Sequence, residues 1–237
     1  MYTFESRVRY SETDRKGHLS LLGIMNYLQD CSTFQSEDIG LGLEHLKAQH
    51  RAWFLSSWQI MIDRYPKLGE KIVMSTWLYE FKGIYGYRNF MIQDGEGNYL
   101  VRANSAWFFF DTAKRRPARV TEDDIHGYRD AKSWIPMNYA VGKIALPKEY
   151  ETGVPILVMK HHVDSNNHVN NAQYIAIAKE LLPDDFPVGK LRAEYKKAAV
   201  EGDLMIPRIS WQDGQVTVAL CNEAGSPYAV VWMEGLL

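Results

Sequence analysis

Two stretches of the chain carry apolar residues at helical spacing, and strand-like segments follow each of them. In the first stretch, apolar residues recur every three or four positions from Leu21 to Cys31 and occupy more than one side, which predicts a largely buried helix. Gly40 and Gly42 are expected to end this helix. In the second stretch, one helical face is formed by Tyr174, Ile177, Ala178 and Leu181, before Pro183.

The strand-like segments are separated by turns rich in Gly, Pro and Asp. They comprise residues 2–10, 53–65, 72–81, 85–94 and 99–111 in the first half, and residues 191–200, 204–211, 215–223 and 228–236 in the second. Residues 112–150 carry many charges and prolines without clear periodicity, which predicts a connecting region. A buried helix with antiparallel strands thus occurs twice, and we predict a duplicated α+β unit.

A pair of polar residues precedes each predicted helix at the same spacing. Asp14 and His18 come before the first helix, and Asp164 and His168 stand 150 positions later, before the second. A later turn with Gly followed by an acidic residue repeats at an offset of 133 residues. The first copy should therefore contain a helix or loop that is longer by 17 residues.

The two copies differ in the chemistry of these polar residues. Asn166 of the second copy stands where the first has Lys16, and an Asn-Asn pair stands where the first has Ser-Leu. We expect one copy to be equipped for chemistry and the other for binding or packing.

The segment from Asp164 to Asn171 combines a carboxylate, an imidazole and four amides directly before a helix. Asn170 or Asn171 is a suitable N-cap. Backbone N–H groups are unpaired at a helix N-terminus and the helix dipole is positive there, which suits a developing oxyanion. With His168 as a possible general base, the segment is a candidate hydrolytic site, although polar residues before a helix also serve as caps and turns.

Bulk properties narrow the class of protein. The 237 residues are 46% hydrophobic with a net charge of −2, which is typical of a globular protein without a bias toward nucleic acid. Cys31 and Cys221 form no metal-like or redox-like spacing. The N-terminus has no signal- or transit-peptide character and no apolar run reaches membrane-spanning length, so we expect a cytoplasmic protein with no membrane span.

The polar segment matches the D-x-N-x-H-V-N-N-x-x-Y signature of acyl-acyl carrier protein thioesterases from Asp164 to Tyr174. First-half residues also placed as in that family are Trp58-Gln59, Asp63-Arg64-Tyr65-Pro66, Gly69, Thr76-Trp77, Arg88, Asp94, Ala103, Ser105, Trp107 and Arg115-Arg116. The chain therefore resembles this family over nearly its whole length. The resemblance implies an α+β fold of two tandem hotdog units, each a long helix wrapped by an antiparallel sheet. It implies an acyl-binding unit at 1–135, a connector at 136–150 and a catalytic unit at 151–237.

The activity implied by the resemblance is hydrolysis of the thioester between a fatty acyl chain and the phosphopantetheine arm of acyl carrier protein, with no cofactor and no metal. The implied catalytic residues are Asp164, Asn166 and His168, where either His168 or Asp164 is the base. The implied substrate-binding residues are Leu21, Met25, Leu28, Trp53, Trp58, Trp107, Asn170 and Asn171.

The implied partner is the acidic acyl carrier protein, which would dock on a basic cluster. Two such clusters are Lys114, Arg115, Arg116 and Arg119, and Lys190, Arg192, Lys196 and Lys197. A duplicated chain is compatible with either a monomer or a homodimer.

The chain departs from the family at one place. Plant members carry a Glu-Cys pair after a Glu-Tyr-basic-basic run, where this chain has Ala198-Ala199. On a continuous strand Glu194 would share the face of Ala198 but lie roughly 13 Å away, and Glu201 would face the other side. Neither acid is expected to replace the missing one.

Three alternatives stay open at this stage. The first is a thioesterase acting on acyl-CoA, and the second is a non-catalytic acyl-binding hotdog protein. The third is a metal hydrolase with His161, His162, Asp164 and His168 as ligands. It is disfavoured because adjacent histidines in an extended segment point in opposite directions.

Overall fold

A computed structural model describes residues 1–128, 135–140 and 142–236. Residues 129–134 of the predicted first unit, residue 141 of the predicted connector and residue 237 therefore lie outside the described residues. The chain divides into two compact units: one comprises Met1–Ser56 and Met61–Tyr139, and the other comprises Ser57–Ile60 and Ala140–Leu237.

The described residues of the first unit form one long helix, two short helices and an antiparallel sheet. Its strands are β1 (Tyr2–Arg7), β2 (Arg51–Ile62), β3 (Lys71–Lys82), β4 (Tyr85–Asp94), β5 (Tyr99–Asp111) and β6 (Arg116–Pro117). Its helices are α1 (Leu21–Asp38), α2 (Leu43–Ala48) and α3 (Glu122–Ile125). The strand order is β1-β3-β4-β5-β2, with β6 beside β5, and the pairs β1–β3, β3–β4 and β4–β5 are antiparallel.

Helix α1 packs against the sheet of the first unit through apolar residues on more than one of its sides. Ile24, Met25 and Leu28 are fully buried, and the helix contacts β3 and β1. Its first turn is capped by Ser20, whose hydroxyl accepts the Gly23 N–H at 3.0 Å. The predicted end is confirmed, since α1 stops at Asp38 before the left-handed Gly40 (φ 75°).

The second unit repeats this plan with a shorter helix. Its elements are β7 (Glu151–Thr152), β8 (Ile156–Leu157), α4 (Asn171–Glu180), β9 (Val188–Tyr195), β10 (Leu204–Gln212), β11 (Gln215–Cys221) and β12 (Pro227–Gly235). The strand order is β9-β12-β11-β10-β7, with β8 also paired to β10, and these pairs are antiparallel. Helix α4 buries Tyr174, Ile177 and Ala178 and contacts β12 and β11, whereas Leu181 is only half-buried at its C-cap.

Single hydrogen bonds recur in the two units at the predicted spacing. The Val8 carbonyl accepts the Gly69 N–H at 2.9 Å, and the Val158 carbonyl accepts the Gly202 N–H at 3.0 Å. These pairs reproduce both predicted offsets, 150 and 133 residues. The extra length of the first copy lies in its helices, because α1 has 18 residues and is followed by α2, whereas α4 has 10.

Three predicted strands end at least three residues earlier than expected, and one of them is β2, which ends at Ile62. Strand β1 stops at Arg7, and a 3₁₀ turn follows. Strand β9 stops at Tyr195, because the N–H groups of Lys196 and Lys197 both donate to the Tyr228 carbonyl, at 2.8 and 3.2 Å, and bend the chain. Residues 194–201 therefore do not form a continuous strand, and the prediction that placed Glu194, Ala198 and Glu201 on one is wrong.

Helices within the described ranges do not reach the combination of length and hydropathy needed to span a membrane.

Candidate active site

The polar segment before α4 folds into a tight turn. The Asp164 N–H donates to the His168 carbonyl at 2.8 Å, and the Asn167 N–H donates to the Asp164 carbonyl at 3.0 Å. Asn167 occupies the left-handed region (φ 59°), which Asn tolerates better than most residues. The equivalent turn of the first copy has Gly17 at this place (φ 74°), so both copies share one backbone conformation.

The carboxylate that begins each turn is used differently in the two copies. In the first copy, Asp14 Oδ1 accepts the N–H groups of Lys16 at 2.8 Å and His18 at 2.9 Å. In the second, Asp164 Oδ1 accepts the Asn166 N–H at 2.8 Å. An Asp in this turn therefore has a structural role in both copies, and in the second copy more of the carboxylate remains available.

The structure brings Asp164, Asn166 and His168 together in one turn. Asp164 and His168 are half-buried, and Asn166 is exposed. Within the described ranges, neither the His168 ring nor the Asn166 side-chain amide has a hydrogen-bond partner, and the Asp164 carboxylate does not bond to the His168 ring. The three side chains therefore retain hydrogen-bonding capacity for a substrate or a water molecule.

Helix α4 begins directly after this turn. Asn170 is the N-cap, and its Oδ1 accepts the Ala172 N–H at 2.9 Å. Other N–H groups here are also occupied: Val169 donates to the Ala199 carbonyl, Asn170 to His162 and Gln173 to Asn170, each at 2.9 Å. Of residues 169–173, Asn171 has the one N–H group with no acceptor in the described part of the chain. The helix N-terminus therefore offers one specific donor.

Two tyrosine hydroxyls form hydrogen bonds with backbone groups near the turn. The Tyr174 hydroxyl accepts the Ala199 N–H at 2.9 Å, and the Tyr195 hydroxyl donates to the Asn171 carbonyl at 2.9 Å. Their rings pack edge to face with centroids 5.7 Å apart. Burial raises the pKa of Tyr174 to about 12 and that of Tyr195 well above its usual value, so both hydroxyls stay protonated. Neither contact could be recognised from the sequence alone.

The Ala198-Ala199 pair includes the residue whose N–H bonds to the Tyr174 hydroxyl. Ala198 is exposed, and Ala199 is fully buried. Glu194 is buried and already occupied, since its Oε1 accepts the Ile144 N–H at 2.7 Å and its Oε2 pairs with Lys196. The structure is therefore compatible with the expectation that Glu194 does not replace the missing acid. The reason differs from the predicted one, because both carboxylate oxygens of Glu194 already have partners.

The predicted substrate-binding residues lie in varied surroundings. Leu21, Met25 and Leu28 are buried on α1. Trp53 is half-buried against Phe109, with ring centroids 4.7 Å apart. Trp58 is buried on the part of β2 that is grouped with the second unit, and the Trp107 ring N–H donates to the Ser105 hydroxyl at 2.7 Å. Asn170 is the N-cap of α4, and Asn171 is its first residue.

The prediction that His161 and His162 lie in an extended segment and point in opposite directions is wrong. His161 and His162 belong to a 3₁₀ turn, and their ring centroids are only 4.1 Å apart. However, His162 Nδ1 already accepts the Met159 N–H at 3.0 Å, and burial, with the neighbouring His161, lowers the pKa of His162. Across the described ranges, no three or more His, Cys, Asp or Glu side chains are grouped to hold a metal ion.

The fold is similar to that of solved thioesterases. It matches an acyl-ACP thioesterase from Bacteroides thetaiotaomicron with a TM-score of 0.88 and 21% identity, over 98% of this chain and 96% of that chain. A 12:0-ACP thioesterase from Umbellularia californica gives a TM-score of 0.84 and 19% identity over the same shares of the two chains.

The sequence comparisons agree with this likeness. The model for the acyl-ACP thioesterase N-terminal domain matches residues 1–128, so the chain belongs to the acyl-ACP thioesterase family. An acyl-[acyl-carrier-protein] hydrolase of Cuphea viscosissima is 25% identical over 177 residues, covering 70% of this chain and 43% of the relative. Oleoyl-acyl carrier protein thioesterase 1 of Arabidopsis thaliana is 22% identical over 203 residues, covering 77% and 56%. The chain thus spans about half the length of the curated relatives that it matches.

Proposed function

We propose that this protein is a thioesterase that hydrolyses fatty acyl-acyl carrier protein to free fatty acid and carrier protein. Membership of the family supports this substrate class. The observation that carries the proposal is the turn with Asp164, Asn166 and His168, placed beside a helix start whose Asn171 N–H has no acceptor among the described residues. We further propose that each unit is a hotdog unit, with the acyl chain bound by the first and the chemistry performed by the second.

The proposed reaction is the addition of water to the thioester carbonyl. His168 or Asp164 takes a proton from the water, and the hydroxide forms a bond to the carbonyl carbon. The carbonyl oxygen becomes an oxyanion and accepts the Asn171 N–H. The C–S bond then breaks, the phosphopantetheine thiol leaves with the proton from the base, and the fatty acid remains. Asn166 positions the attacking water through its side-chain amide.

The proposed docking surface for the acidic carrier protein is the cluster Lys114, Arg115, Arg116 and Arg119. All four residues are exposed, and in the described part of the chain the three arginines form no ion pair. The second basic cluster is less suitable, because Lys190 pairs with Glu234, Lys196 pairs with Glu194, and Arg192 donates to the Gly142 carbonyl. Charged docking of this kind weakens with salt.

The test is thiol release from acyl carrier proteins loaded with chains of graded length, beside the matching acyl-CoAs. The alanine variants at Asp164, Asn166 and His168 should each lower kcat by about 10²- to 10⁴-fold. His18→Ala is the matched control, because His18 occupies the equivalent position of the first copy and is also half-buried, and it should retain activity. The KM for the loaded carrier protein should rise with ionic strength.

Each alternative has its own outcome in this assay. Activity mainly on acyl-CoA would make the protein an acyl-CoA thioesterase. Binding of acyl chains without hydrolysis of either substrate would favour a non-catalytic binding protein. Near wild-type turnover in all three variants would show that the site is elsewhere, and a KM indifferent to salt would count against the basic docking surface.

A further inference from the structure

The Tyr174 hydroxyl forms a hydrogen bond that links α4 to the segment after β9. It accepts the N–H of Ala199 at 2.9 Å, and the carbonyl of the same Ala199 accepts the Val169 N–H at 2.9 Å. Val169 is the residue next to His168. The peptide groups around Ala199 are therefore held on both sides, and one of the two bonds ends at the proposed catalytic turn.

The first copy retains one bond of this pair and lacks the other. There, the Leu19 N–H donates to the Pro66 carbonyl at 2.8 Å, which matches the bond from Val169 to Ala199. The position of Tyr174 is occupied by Ile24, which has no hydroxyl, and Pro66 has no N–H to donate. The first copy lacks the complete Asp/Asn/His set, and it also lacks both the hydroxyl acceptor and the N–H donor of this bond.

The second tyrosine follows the same pattern. Tyr195 is the last residue of β9 and bonds to the Asn171 carbonyl, whereas the equivalent end of β2 is Ile62. Both tyrosine hydroxyls that contact the catalytic segment therefore occur only in the second copy. A bond needed only for folding of the shared unit would be expected in both.

We propose that Tyr174 is a positioning residue of the hydrolytic site, acting through Ala199 on the turn that carries His168. This proposal rests on the proposed thioesterase function. The hydroxyl fixes the Ala199 peptide, the Ala199 carbonyl fixes Val169, and the His168 backbone is set as a result. Since Tyr174 stays protonated, the support does not change across the working pH range.

The test compares Tyr174→Phe with Tyr128→Phe as a matched control. Tyr128 is also buried, and its hydroxyl bonds to Ser36 at 2.8 Å in the first unit. Tyr174→Phe should lower kcat by roughly 10- to 100-fold with KM within about twofold, because small displacements of catalytic groups slow the chemical step. Tyr128→Phe should leave both constants near wild type.

Ala199→Pro distinguishes an effect of the Tyr174 hydroxyl that acts through the Ala199 N–H from any other effect of that hydroxyl. It removes the N–H that Tyr174 accepts, and Pro66 shows that the equivalent backbone accommodates proline. In the Ala199→Pro background, Tyr174→Phe should lower kcat by less than about twofold, because the two changes remove the same bond. An equal loss of kcat in both backgrounds would overturn the proposal.

Amide hydrogen exchange provides a readout that does not depend on activity. In Tyr174→Phe, exchange at Ala199 and Val169 should be at least about tenfold faster than in the wild type, with no such change in Tyr128→Phe. Unchanged exchange at Ala199 would overturn the proposal even if kcat falls. If the wild type hydrolyses no thioester, the proposed function fails, and the exchange rates still decide whether Tyr174 orders the turn.

Discussion

Substituting Asn171 by proline would delete the one N–H group at the start of α4 that the proposed mechanism uses. Asn171 is the first residue of the helix, a position where proline is favoured because its fixed φ suits the helix and no intrahelical bond is lost. The preceding Asn170 has ψ 138°, which lies in the extended range that is favoured for the residue before proline. The substitution should therefore be accommodated without distortion of the helix.

The expected effect on activity is much larger than the effect on stability. No protein hydrogen bond is lost, since the Asn171 N–H has no acceptor in the described ranges, and the free energy of unfolding should change by less than about 1 kcal/mol. Removal of one oxyanion donor typically lowers kcat by about 10²- to 10³-fold, which corresponds to about 2.7–4 kcal/mol of transition-state stabilisation.

Asn171→Ala is the matched control, because it removes the same side chain and keeps the N–H. Both variants would be assayed for kcat on a loaded carrier protein and for unfolding in denaturant. The ratio of their kcat values then reports the N–H alone. If the two variants turn over equally while both remain folded, the Asn171 N–H is not the oxyanion donor.

Two further predictions concern the stability of the fold. Asn167 has a left-handed backbone, so Asn167→Val should lower the free energy of unfolding by about 1–2 kcal/mol in denaturant titrations while Asn167→Gly should not, and a tolerated Val would contradict the left-handed turn. The Lys114 N–H and the Arg51 guanidinium lower the pKa of Asp111 to about 2, so its stabilisation is complete above the unfolded-state pKa of about 3.9 and is lost as the pH falls toward 2. Asp111→Asn should therefore flatten the dependence of stability on pH between about 4 and 2, and an unchanged slope would refute this pairing.

Helices, strands and the duplication follow closely from the sequence because they depend on local patterns. The period of apolar residues predicted both α1 and α4, and α1 ends just before Gly40 as predicted. The predicted ends of three strands, β1, β2 and β9, were less accurate. Strand β9 ends where the Tyr228 carbonyl takes two N–H groups, and the sequence near Lys196 carries no sign of that distant acceptor.

The candidate site shows the same division. Asp164, Asn166 and His168 could be proposed from one short segment, since their spacing and the following helix are visible in the sequence. The Asn171 N–H, which has no acceptor among the described residues, could not be proposed in this way. It is distinguished only in the fold, where the carbonyls of Ala199 and His162 and the Asn170 side chain accept the neighbouring N–H groups.

The sequence by itself determined the two-copy plan, the identity of the chemically distinct copy and the residue types available there. The tertiary structure alone decided which polar groups are already occupied. The Glu194 carboxylate accepts the Ile144 N–H and pairs with Lys196, and the Tyr174 hydroxyl accepts the Ala199 N–H. The physical reason is that hydrogen bonds between residues distant in sequence depend on how strands and helices pack, whereas helix and strand propensities depend on the residues in one segment.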